Sequence, residues 1–228
     1  MQYTVHRKGA CMERIFGVDS LLSRILTVLA NTVVLSLLWI IGCVPLITIG
    51  ASTTAANYAA IHALNGDKSI LRNYIKSFKL NLKQAIILEV ILGIPMIVLF
   101  GGIYIVVSMG SMIPTGIAVA YGVLAFGLFA VYSYAFPILS YFHFPTEVLL
   151  KNAVLIALAN TGWTFVIIFV NLLPLLIPAL RMDWALMILP LLIALVPGSV
   201  IEINSIIFKR IFPQYVREED KLQTEQPG

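Results

Sequence analysis

Residues 84 to 107 read QAIILEVILGIPMIVLFGGIYIVV, and Glu89 is the only charge among them. At 1.5 Å per residue, a helix of that length crosses the ~30 Å hydrocarbon core of a bilayer. Comparable apolar runs occupy residues 25–49, 115–140, 153–178 and 184–208. Charged residues make up 11% of the chain, against about 25% in a soluble domain. The chain therefore reads as an all-α fold, a single polytopic membrane helix bundle, with no room between runs for a soluble domain. The first run begins near Ser23, has no A-x-A site before it and exceeds a signal-peptide core, so it is expected to stay as a spanning helix.

The stretch VPLITIGASTTAANYAAIHALNG, residues 44–66, decides the topology. If residues 50–65 were a loop, the first span would separate Arg7, Lys8, Arg14 and Arg24 from Lys68, Arg72, Lys76, Lys79 and Lys83. The positive-inside rule opposes that separation. If residues 50–65 cross back, every Lys and Arg except Arg181 falls on one side, including Lys151, Lys209, Arg210, Arg217 and Lys221. Six spans are therefore expected, at about 25–49, 50–65, 84–107, 115–140, 153–178 and 184–208. Both the N-terminal segment 1–24 and the tail 209–228 are then cytoplasmic, and the polar stretch VREEDKLQTEQPG, residues 216–228, reads as a disordered end.

A helix over 50–65 reaches only ~24 Å, so it needs shielding or a thinned bilayer. A re-entrant element at 48–65 is the alternative. Ala51, Ala55, Ala59 and Ala63 recur every fourth residue, a small-residue ladder that lets membrane helices approach closely. Ser52, Thr53 and Asn57 add polar groups for helix packing or for contact with a substrate. An inner helix of the bundle is expected here.

Residues 66–83 carry Arg72, Lys76, Lys79 and Lys83 on one helical stripe and Leu71, Ile75, Phe78 and Leu82 on another. That pattern predicts a cytoplasmic amphipathic helix along the lipid surface, its cations reaching the headgroups. A helical linker docked on other protein is the blander reading.

Charges at membrane depth are costly and face a cavity or a partner. Glu89 and Glu202 are the candidates for such buried polar or coupling groups, in a patch with Asn204 and Lys83; neither lies at mid-membrane, and anchoring near the cytoplasmic headgroups is the blander reading. Asn31, Asn160 and Asn171 read as interhelical glue. His62 and His143 form no metal-ligand spacing, and no nucleophile elbow or phosphate loop occurs. Cys11 and Cys43 read as free thiols. The expectation is no enzyme, no cofactor, no metal and no nucleic acid, with the lipid bilayer as the evident partner. Pro45, Pro95, Pro137, Pro174, Pro178, Pro190 and Pro197 lie in apolar runs; kinked helices are frequent in transporters, and in membrane helices generally.

The stretch LLWIIGCVPLITIGASTTAANYAAIHALNG (37–66), with SFKLNLKQAI (77–86) and FGVDSLLSRI (16–25), resembles the YesL-like bacterial membrane proteins grouped as DUF624, a family of unknown function. The run Pro45, Thr48, Gly50, Ala51, Ser52, Thr53 carries most of the resemblance. It implies a small multi-pass protein of the bacterial cell membrane, accessory to carbohydrate uptake, with a sugar-transport permease or ATPase as partner. It implies no catalytic residue. Two classes of function follow: a transport-related protein, or a non-transporting membrane interaction or regulatory protein.

Overall fold

The computed structural model describes residues 21–109, 115–142, 144–176 and 185–224. Residues 1–20 (with Arg7, Lys8, Cys11 and Arg14), 110–114, His143, 177–184 (with Arg181, Asp183 and Trp184) and 225–228 lie outside it. The described residues form helices α1 (Leu21–Gly42), α2 (Ile49–Leu64), α3 (Ile70–Met109), α4 (Thr115–Tyr141), α5 (Thr146–Ala159), α6 (Thr161–Leu176) and α7 (Ala185–Thr224), with a 3₁₀ turn at Leu46–Thr48. No strand occurs among them.

Helices α1, α3, α4 and α7 are long and apolar enough to cross a membrane, and the bent pair α5–α6 makes a fifth if it counts as one span. Their outer faces are apolar, with Ile97 74% exposed and Val123 66%. Soluble proteins rarely show apolar patches of such extent. This is the surface of a membrane protein.

Helix α1 stops at Gly42, short of the expected boundary at residue 49. Pro45 explains the stop, because it offers no N–H and pushes Val44 out of helical geometry. The Thr48 hydroxyl then ties the turn by donating to the Gly42 and Pro45 carbonyls, at 2.7 Å each. From there α2 runs back along α1: Trp39 meets Ser52 and Thr53, and Leu35 packs with Ala55, Ala56, Ala59 and Ala60. The start of α1 and the end of α2 thus share one end of the molecule.

Helix α2 is the inner helix. It packs on α1, α3, α4 and α7, and Ala51, Ala55 and Ala59 are wholly buried. Small side chains allow this close approach on several sides at once. It ends at Gly66 (φ 93°), where the Asp67 N–H reaches back to the His62 carbonyl and the Gly66 N–H to Ala63. Those paired bonds satisfy the last carbonyls of the helix. The Asn73 amide, then the Ser69 N–H, donates to Asp67 and holds its carboxyl below the usual carboxylate range.

Three expected boundaries change. Residues 66–83 and 84–107 are not separate elements, since α3 is unbroken over 40 residues. That is ~60 Å, twice the hydrocarbon thickness, so its basic end continues the axis of the span beyond the lipid core. Arg72, Lys76, Lys79 and Lys83 are all exposed; Leu71 and Ile75 are exposed too, whereas Phe78 and Leu82 pack on the core. The expected span 153–178 is broken at Asn160, where α5 and α6 meet at 104°. Helix α7 runs past the expected boundary at residue 208 and on through residues 216–224, part of the stretch expected as a disordered end, and Pro190, Pro197 and Pro213 lie within it.

The largest core cluster joins α4 to α7 through aromatic rings. Tyr134 meets Phe208 edge-on, and Phe142 meets Phe212. Leu149, Ala153 and Ile156 of α5 close it from one end.

Candidate functional site

The polar groups of the bundle converge on α2. Its first turn presents backbone N–H groups that no earlier carbonyl can accept. The usual remedy is a side chain at the residue before the helix, but the Thr48 hydroxyl is engaged in the preceding turn and makes no such bond. Glu89 of α3 stands in its place. A Cβ on Gly50 would lie 2.8 Å from Glu89 Oε2, so the carboxylate sits against the backbone of that turn. The Gly50 N–H is directed to it. Anionic groups are favoured at helix N-termini. The Tyr132 hydroxyl of α4 donates to the same carboxylate at 3.1 Å. Glu89 thereby holds α2, α3 and α4 together.

Further along α2, Ser52 donates to the Trp39 carbonyl (2.8 Å) and shares a hydrogen bond with Tyr74 (2.9 Å). Thr53 accepts from the Trp39 indole N–H at 3.1 Å. Asn57 donates to the Thr53 carbonyl and accepts from Ser205 of α7 at 3.3 Å. All three α2 candidates therefore make hydrogen bonds within the bundle.

Glu202 has a different partner. It accepts from Thr32 of α1 at 2.7 Å. One turn earlier, the Gly198 N–H donates to Ser36 at 2.8 Å. This seam needs Gly198, because a side chain there would meet the Thr32 carbonyl. Asn204 donates to Asn171 of α6 at 2.9 Å, and Asn171 lies 3.4 Å from Ser133 of α4. The single patch of Glu89, Glu202, Asn204 and Lys83 is not what the structure shows: the first three have separate partners, and Lys83 is exposed. Buried Thr54 Oγ1 and Asn204 Oδ1 lack a hydrogen-bond partner among the described residues.

The sequence reading missed Thr32, Tyr132 and Ser205 as partners. Tyr132 had a signal, since Tyr132, Ser133 and Tyr134 interrupt an apolar run; Thr32 and Ser205 had none beyond polarity. Also missed is a cleft of about 240 Å³ lined by Tyr58, Ile61, His62, Asn65, Ser140 and Tyr141. There the Tyr58 and His62 rings pack 4.0 Å apart. Among the described residues no three His, Cys, Asp or Glu side chains gather in a metal-binding group.

No curated protein and no solved structure matches the chain. Residues 32–105, which hold α2, the turn on either side of it and Glu89, match the family model described as "Protein of unknown function, DUF624", so about a third of the chain is similar to that family.

Proposed function

We propose that the chain is a non-catalytic accessory protein of carbohydrate uptake, embedded in a bacterial cell membrane by six passes with both termini cytoplasmic. The observation that carries the accessory role is the commitment of most interior polar groups, Thr54 Oγ1 and Asn204 Oδ1 excepted. Ser52, Thr53, Asn57, Glu89, Asn171, Glu202 and Asn204 all bond to neighbouring groups of the bundle. An interior of this kind suits a scaffold that holds helices in register. The antiparallel return of α2 along α1 supports the topology, because it brings the start of α1, which follows the N-terminal segment in sequence, to the same end as the basic start of α3. In this reading α2 and the turn before it form the second pass, and α6 forms the fifth. The uptake role draws on the resemblance to YesL-like proteins, and a sugar-transport permease or its ATPase is the partner it proposes.

The discriminating experiment deletes the gene in its host and follows uptake of labelled mono- and oligosaccharides. Uptake should fall, and the wild-type chain, Glu89→Gln and Glu202→Gln should each restore it at matched abundance. If the glutamine variants are abundant yet fail to restore uptake, the carboxylates couple solute movement and the scaffold reading is wrong. Uptake that is unchanged by the deletion would remove the carbohydrate role altogether.

A further inference from the structure

We propose that α5 is a membrane-surface helix, seated in the headgroup–acyl boundary of the leaflet where α3 and α7 leave the bilayer. This rests on the membrane reading of the chain and is independent of any role in uptake. Two hydrogen bonds orient α6. Asn160 Nδ2 donates to the Tyr215 hydroxyl, and Asn171 accepts from Asn204, both at 2.9 Å. Between these bonds, α6 advances by as many residues as α7 retreats. Helix α6 therefore runs antiparallel to α7 and shares the axis of a spanning helix. Helix α5 turns 104° away from α6, so it lies across the end of the bundle. That end bears charge, since Tyr215 lies beyond Lys209 and Arg210 on α7, both of them exposed.

One side of α5 is fastened down. Leu149, Ala153, Ile156 and Ala157 are buried, and the cluster they join includes Phe142, Phe208 and Phe212. The other side is open and largely apolar: Leu158 is 70% exposed, Leu155 53%, Val148 43% and Val154 41%. Glu147 and Lys151 share the exposed side near its start. Apolar side chains exposed at the level of charged helix ends fit the acyl boundary, with nearby charges reaching the headgroups. A water-filled or fully hydrocarbon setting would leave one of the two sets misplaced.

The test is depth measurement by spin label in the full chain, with Cys11 and Cys43 replaced by serine. Val148, Leu155 and Leu158 are replaced by cysteine one at a time, in phosphatidylcholine vesicles containing phosphatidylglycerol. All three are outward-facing, so labels there leave the core intact. The expected result is one shallow depth for all three labels, within a few ångströms. If α5 were instead the first half of a span, depth would increase by about 15 Å from residue 148 to residue 158. That gradient overturns the proposal, and so does aqueous accessibility at all three positions, the result for a face that meets solvent or another protein. Labels at Phe165 and Phe169, exposed on α6, give the internal standard of a real gradient.

Discussion

A chain carrying Gly198→Ala is expected to lose roughly 3 kcal/mol of stability, the upper part of the usual range for overpacking. It should give far less monodisperse protein in detergent than the wild type. The added Cβ would collide with the Thr32 carbonyl oxygen and lie 2.7 Å from Ser36 Oγ. A side chain can swing aside; a helix backbone cannot. Helices α1 and α7 would have to separate, which breaks the Thr32–Glu202 and Gly198–Ser36 hydrogen bonds together. Gly122→Ala is the control, because nothing lies within 4 Å of a Cβ there. It should be neutral or stabilising by up to about 1 kcal/mol, the helix preference of alanine over glycine. Thermal unfolding followed by size-exclusion fluorescence measures both, and equal melting temperatures for the two variants would contradict the close α1–α7 seam.

Glu89→Ala is expected to cost about 2–3 kcal/mol, combining loss of a helix cap with an unpaired Tyr132 hydroxyl. Glu89→Gln should cost less, since its amide oxygen still accepts. The cap also predicts coupling. With Tyr132→Phe in place, removing Glu89 should cost less than it does alone, because one interaction is no longer there to lose. The same melting assay reads the cycle. Strict additivity, or a Glu89→Gln variant as unstable as Glu89→Ala, would show that the carboxylate does not join α2 to α4.

The all-helical membrane architecture was legible because apolar run length is a local property. So was the central place of α2, through its alanine ladder. The stop at Gly42 was half legible: Pro45 signals a kink or loosening at the far end of the first run, but hydropathy alone reads the run as unbroken to residue 49. The division at residue 83 was drawn at a change of composition, yet helical hydrogen bonding is indifferent to whether a side chain meets lipid or water, and α3 continues through it. Asn160 was read as glue between helices. It is that, through Tyr215, but it also marks the break between α5 and α6, which tertiary packing decides. Glu89 was found by its charge. Its role at the α2 N-terminus depends on Thr48 being engaged elsewhere, a fact of three-dimensional geometry that no spacing reveals.

The return of the chain through α2 is the centre of this account, and single-cysteine labelling in intact cells tests it directly. Cysteines at Gln2, Lys76 and Ser108, each in a chain with Cys11 and Cys43 replaced by serine, are treated with a membrane-impermeant maleimide. Lys76 and Ser108 are exposed at opposite ends of α3. The expected result is labelling of Ser108 from outside, with Gln2 and Lys76 reacting only after permeabilisation. Labelling of Gln2 and Lys76 from opposite faces would mean that α2 does not bring the chain back, and the six-pass topology would fall with it.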